Sequence, residues 1–154
     1  MGWHAEPIKN SLTVNNSLAE YPLSEEQNIS KIIKTIQEMP SDFPGALAYV
    51  MKLSHVTIEK LAEYSHVSET TIKRYRNKKS ESHYSLEIVI ALCIGMHLPP
   101  WLSIELLERI GIALRGTPRN CVLSYVLYNM YQCTIDDIQR YLIAFGIEPL
   151  MIAS

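Results

Sequence analysis

The chain has 154 residues, 47% hydrophobic and 19% charged, with a formal net charge of −2. That length and composition suit one well-packed globular domain, with or without an appendage. The acidic balance excludes a protein that coats nucleic acid through bulk positive charge, so any such role rests on local charge. Cys93, Cys121 and Cys133 form no C-x-x-C pair and are odd in number; reduced thiols in a cytoplasmic setting are expected rather than a disulfide framework. No signal peptide is visible, and the longest apolar run, Ile88 to Met96, is far too short to cross a bilayer. No membrane partner is expected.

Residues 1–23 show no sustained periodicity and read as a flexible arm or linker. An arm at this place suggests the C-terminal part of a longer protein. Residues 24–40 are expected to form a helix. Ser24 and Gln27 make an S-x-x-Q capping box, Glu25 and Glu26 complement the helix dipole, and Pro40 stops the run. Ile29, Ile32, Ile33 and Ile36 form one apolar stripe that needs a covering surface, for which the body that follows is the nearest candidate.

After Ser41-Asp42-Phe43-Pro44, a helix running to about Leu53 points Leu47, Val50 and Met51 inward. Thr57 to Lys79 then reads as two short helices joined by a tight turn. Thr57 caps the first, with Leu61 and Tyr64 on its apolar side and Ala62 allowing a close crossing. Ser65-His66-Val67 breaks the pattern, Ser68 caps the second helix, and Ile72 and Tyr75 face inward. The outer side carries Glu69, Thr70, Lys73 and Arg74, followed by Arg76, Asn77, Lys78 and Lys79. From Glu69 to Glu81 five cations face two carboxylates, a local net charge of +3 in an acidic chain.

From Ser85 a helix apolar nearly all round, SLEIVIALCIGMHL, predicts burial on most sides. Pro99-Pro100 opens a helix ending at Gly111, with Trp101, Ile104 and Leu107 toward the core. Thr117-Pro118 starts another, stopping near Cys133, with Val122 and Val126 on one apolar face and Leu123, Leu127 and Met130 on a second. Thr134 and Asp137 form a T-x-x-D box over a last helix with the stripe Ile135, Ile138, Leu142 and Phe145, closed by Gly146. No strand pattern appears, so the fold class is all-α. TIEKLAEY at 57 and TIDDIQRY at 134 look alike, but two capped helices with one stripe produce that without a repeat.

The 57–79 stretch resembles the helix-turn-helix of Xre/Cro/lambda-repressor-type regulators, roughly T-x-x-x-L-A-x-x-x-G-V-S-x-x-T-I-x-x-apolar. Thr57, Leu61, Ala62, Val67, Ser68, Thr71, Ile72 and Tyr75 stand at the matching places. The chain departs where Ile58 replaces a phosphate-binding Gln, Ser65 an apolar core residue, His66 the turn glycine, Arg76 a Glu and Lys78 a Gly. Histidine tolerates positive φ, so the turn can survive. The resemblance implies a lambda-repressor-like bundle over 41–98, with an added N-terminal helix and a C-terminal helical extension over 99–154. It implies double-stranded DNA as partner, with Glu69, Thr70, Lys73 and Arg74 reading bases in the major groove. Ser68, Arg76, Asn77, Lys78 and Lys79 then meet phosphates, and a homodimer binds two half-sites.

The 99–152 region is expected to carry the dimer contact or to receive an input signal; simple burial in a larger monomer is the alternative. The acidic balance and Ile58 leave open a second reading, a helix-turn-helix-derived protein-interaction or regulatory module. No catalytic, metal, cofactor or small-molecule motif is present: there is no H-E-x-x-H, G-x-S-x-G, glycine-rich phosphate loop or zinc-spaced Cys/His set. His4, His55, His66, His83 and His97 are scattered, and an enzyme is not expected.

Overall fold

The computed structural model describes residues 21–80 and 83–152. Among them the regular elements are all helices, eight in number. The chain divides into two compact units, 1–39 and 40–154. The arm expected over 1–23 lies outside the described residues except for 21–23, which are helical.

In the first unit, α1 spans Tyr21–Glu38. It begins one turn before Ser24, so Ser24 lies inside the helix and not at its N-cap, correcting the expected capping box. The isoleucine stripe is also corrected. Ile29 and Ile33 are about half exposed, at 55% and 51%, whereas Thr35 and Met39 are buried. Thr35 tolerates burial because its hydroxyl donates to the Lys31 carbonyl at 2.8 Å.

The second unit holds α2 (Phe43–Leu53), α3 (Ile58–Ser65), α4 (Glu69–Tyr75), α5 (Leu86–Gly95), α6 (Pro100–Arg109), α7 (Pro118–Asn129) and α8 (Ile135–Ala144). Side-chain caps start most of them. Asp42 accepts from Gly45 N, Thr57 from Lys60 N, Ser68 from Thr71 N, Ser85 from Ile88 N, Thr117 from Asn120 N and Thr134 from Asp137 N. Each such cap contributes about 1 kcal/mol, which matters for helices of two or three turns that are marginal alone.

The organising element is α5. Every residue from Ile88 to Gly95 is buried, and α3, α6, α7 and α8 all pack against this helix. α2 meets α4 and α6. The helices after residue 99 are therefore built onto the same apolar core as α3. Polar ties fix their ends. Arg109 donates from Nε to the Pro40 carbonyl at 2.8 Å and pairs with Glu105 at 3.0 Å. Arg119 pairs with Glu87 at 3.1 Å. The Gln139 amide brackets Leu150, donating to its carbonyl at 2.9 Å and accepting from its N–H at 2.7 Å.

Inward assignments at three helices are corrected. Tyr64 is 46% exposed, because the inward side of α3 is set by Leu61 and Ser65, four residues apart. On α6 the buried set is Leu102, Ser103, Leu106 and Leu107, with Trp101 and Ile104 half-buried at its margins. Phe145 is 76% exposed; it is the C-cap of α8, so its side chain leaves the stripe that Ile135, Ile138 and Leu142 bury. Among the described residues, no helix is long and apolar enough to cross a membrane.

Candidate nucleic-acid interface

The α3–α4 pair is held by a three-residue turn, His66-Val67-Ser68. His66 closes α3 in the left-handed region at φ 63°, and its N–H reaches the Ala62 carbonyl. His55 and His97 also take positive φ, at 56° and 52°. Histidine is several-fold enriched there among non-glycine residues, though the conformation still costs energy. Val67 is buried under the turn, and the Ser65 hydroxyl accepts from its N–H at 3.2 Å while donating to the Leu61 carbonyl at 2.6 Å. A serine at this core position thus satisfies the backbone of the turn itself.

The inward side of α4 is Thr71, Ile72 and Tyr75, all buried. Tyr75 anchors the far end of the helix. Its ring stands edge-on to Phe43 at 6.0 Å and to Tyr84 at 5.0 Å, and its hydroxyl accepts from Ser85 N at 2.9 Å. Phe43 and Tyr84 close the cluster at 4.5 Å. Burial, with repulsion from Asp42 and then Tyr75, holds the Tyr84 phenol above its ordinary pKa. Neither Phe43 nor Tyr84 stands out in the sequence as part of this arrangement, because α2 and the loop before α5 meet α4 only in three dimensions.

With that side fixed, Glu69, Thr70, Lys73 and Arg74 share the opposite side and are all exposed. Asn77, Lys78 and Lys79 are exposed after the helix, while Ser68 and Arg76 are half-buried. Among the described residues, no ion pair engages Lys73, Arg74, Arg76, Lys78 or Lys79. Glu81, which enters the local charge balance, lies outside the described residues. Arg74 places its guanidinium 5.5 Å from the Tyr75 ring centroid, a cation–π distance that limits its swing without burying its charge.

Two of the expected phosphate positions have side chains already partly engaged. The Ser68 hydroxyl accepts from Thr71 N and donates to Thr71 Oγ1 at 2.9 Å, which commits its proton inside the cap. Asn77 Oδ1 accepts from Lys79 N at 2.9 Å, a local turn that leaves the Asn77 amide N–H groups to donate outward.

On the other side of the turn, His66 Nδ1 lies 3.8 Å from Asp136 Oδ1 of α8, and His97 Nδ1 lies 2.9 Å from the Tyr131 carbonyl. Both links tie the segment after α7 to the end of α3 and α5. They went unseen in the sequence because each spans more than 30 residues and no spacing encodes it. The His66–Asp136 pair is largely exposed and contributes little to stability. Among the described residues, no group of three His, Cys, Asp or Glu side chains could hold a metal ion. Comparison with protein-family models, curated proteins and solved structures finds no match to this chain.

Proposed function

We propose that the chain is a sequence-specific DNA-binding transcriptional regulator of the Xre helix-turn-helix type, with α4 as the recognition helix. The observation that carries this reading is the division of α4 into two sides. Thr71, Ile72 and Tyr75 are locked inward, while Glu69, Thr70, Lys73 and Arg74 stand exposed together, with no carboxylate pairing the cations among the described residues. A short helix held rigidly from behind, with cations turned outward, suits insertion into a major groove.

In this role Arg74 takes guanine through O6 and N7, Thr70 meets a thymine methyl, and Glu69 accepts from cytosine N4, with Lys73 beside them. Arg76, Lys78, Lys79 and the Asn77 amide hold the phosphates and set register. Ser68 acts through the cap that orients α4, since its hydroxyl proton is already committed.

Selection of bound duplexes from a random pool, followed by titration in low and moderate salt, tests the reading. Enrichment of a defined sequence, with affinity falling steeply as salt rises, is the expected result. No affinity even in low salt would refute it. That result would favour the protein-interaction module, which the half-buried Ile58 supports by leaving the start of α3 without the amide that relatives turn toward a phosphate.

A further inference from the structure

The segment after α8, residues 147–152, has no regular structure, yet side chains of three helices hold it by its main chain. Arg119 of α7 donates to the Glu148 carbonyl at 2.6 Å. Gln139 of α8 brackets Leu150, at 2.9 Å to its carbonyl and 2.7 Å from its N–H. Glu87 of α5 accepts from Met151 N. The side chains of the segment alternate: Leu150 and Ile152 are buried, whereas Met151 between them is 70% exposed. Pro149 fixes its own φ and favours an extended Glu148. Main-chain hydrogen bonds combined with burial of alternate side chains are how proteins recognise an extended peptide.

We infer that α5, α7 and α8 form a peptide-binding cleft, filled here by the chain's own tail and open to an extended apolar-x-apolar segment of another protein. The tail itself shows what fits. Glu87, Arg119 and Gln139 touch only main-chain atoms of the tail, which any extended peptide supplies, and the choice of occupant falls to the two buried positions. Two features make the tail exchangeable. The first is its shallow hold. Burial of Leu150 and Ile152 is set against the entropy of ordering the whole segment, and the clasping Arg119 and Glu87 side chains are 29% and 25% exposed. The second is charge. Arg119 and Glu87 also pair with each other at 3.1 Å, so a departing tail leaves neither charge without a partner, and the usual penalty for opening a charged contact is small.

This inference goes beyond the nucleic-acid reading, and its test needs no DNA. The probe is a fluorescent peptide with the sequence of residues 146–152, GIEPLMI, and the protein is the full chain carrying Leu150→Asp with Ile152→Asp, which releases the tail. The peptide should bind this variant at least about 30-fold more tightly than the unaltered chain, where the tethered tail competes at high effective concentration. Gln139→Ala in the released background should weaken the peptide by about 10-fold through the loss of two hydrogen bonds. A peptide with aspartates at both apolar positions should not bind. No binding to a released variant that keeps its helical content would overturn the inference. Hydrogen exchange on the unaltered chain decides the matter if the variant does not fold: the Leu150 and Met151 N–H groups should exchange at least about 100-fold faster than those of Ile90 and Leu92. Exchange of all four only through global unfolding would make the tail a fixed part of the core and overturn the cleft. Association of the unaltered chain with itself, lost in the double variant, would give the cleft to the tail of a second copy and overturn the foreign partner.

Discussion

A side chain at Gly95 would collide with Ser65: an added Cβ would lie 2.9 Å from Ser65 Cβ and 3.1 Å from Ser65 N. Here α3 lies tight against the buried helix α5, which leaves room for no more than a small residue on either side. Gly95→Ala gains up to about 1 kcal/mol of helix propensity, but overpacking costs about 1–3 kcal/mol. The collision involves backbone and Cβ atoms that cannot rotate away, so the clash wins. Net destabilisation of roughly 1–2 kcal/mol is expected in urea unfolding. Ser65→Ala removes the acceptor for the buried Val67 N–H and should cost about 1–3 kcal/mol. Ser65→Leu should be worse than either. A neutral Gly95→Ala would show that the helices separate freely.

His66 holds the turn between α3 and α4 at φ 63°. A β-branched residue is a genuine outlier there, and strained backbone of this kind costs about 1–3 kcal/mol. His66→Val should therefore lower stability by that amount, whereas His66→Asn, which enters the left-handed region readily, should stay close to the parent. The lost His66–Asp136 pair is too exposed to confuse the comparison. Thermal or urea unfolding of the two variants side by side decides it.

How much of this was legible depends on whether the information is local. Thr57, Ser68, Thr117 and Thr134 announce their caps because a cap acts within three residues. The all-round hydrophobicity of 86–95 announces burial in the same way. Positions on the margins of helices were harder to place. Tyr64, Trp101 and Phe145 are apolar at helical spacing, yet the true inward direction is fixed by neighbours such as Ser65 and Ser103 that look polar. Ala62 is the small residue that periodicity offers for a close crossing; the tight approach at Gly95, thirty residues from Ser65, is one that no local pattern announces. The candidate site divided likewise: the outward set on α4 follows from periodicity, while the Phe43–Tyr75–Tyr84 cluster behind it needs the fold.

Burial pushes the Cys93 thiol up to about 12, from an ordinary 9.0. In the unfolded chain the thiol ionises near 9; in the folded chain it stays protonated well above that. Between those values the folded state binds more protons, so stability is fully present below pH 9 and falls as pH rises toward 12. The slope approaches about 1.4 kcal/mol per pH unit, a loss of roughly 2 kcal/mol by pH 10.5 from this group. Tyr84 adds loss of the same sign at higher pH. Urea unfolding between pH 8 and 10.5 should show the decline, and Cys93→Ala should flatten it. At neutral pH a thiol reagent should label exposed Cys121 and then Cys133, with Cys93 reacting only on unfolding.

Arg74 and Lys79 give the sharpest test of the proposed nucleic-acid role, because the two side chains should fail differently. Arg74 lies on the outward side of α4, with a planar guanidinium able to grip two acceptors at once. Arg74→Ala should cost about 1–3 kcal/mol on the selected sequence and relax preference at one base pair, with much less effect on random duplex. Arg74→Lys should recover little, since a single ammonium cannot reproduce a bidentate pair. Lys79 lies beyond the helix and offers only a point charge. Lys79→Ala should weaken binding to all sequences alike and reduce the slope of log affinity against log salt by about 1. Fluorescence anisotropy on selected and scrambled duplexes at several salt concentrations separates the two. Equal losses on both duplexes for Arg74→Ala would remove it from base reading, and an unchanged salt slope for Lys79→Ala would remove Lys79 from the phosphates. If both occurred together, the cations around α4 would be an ordinary solvated surface.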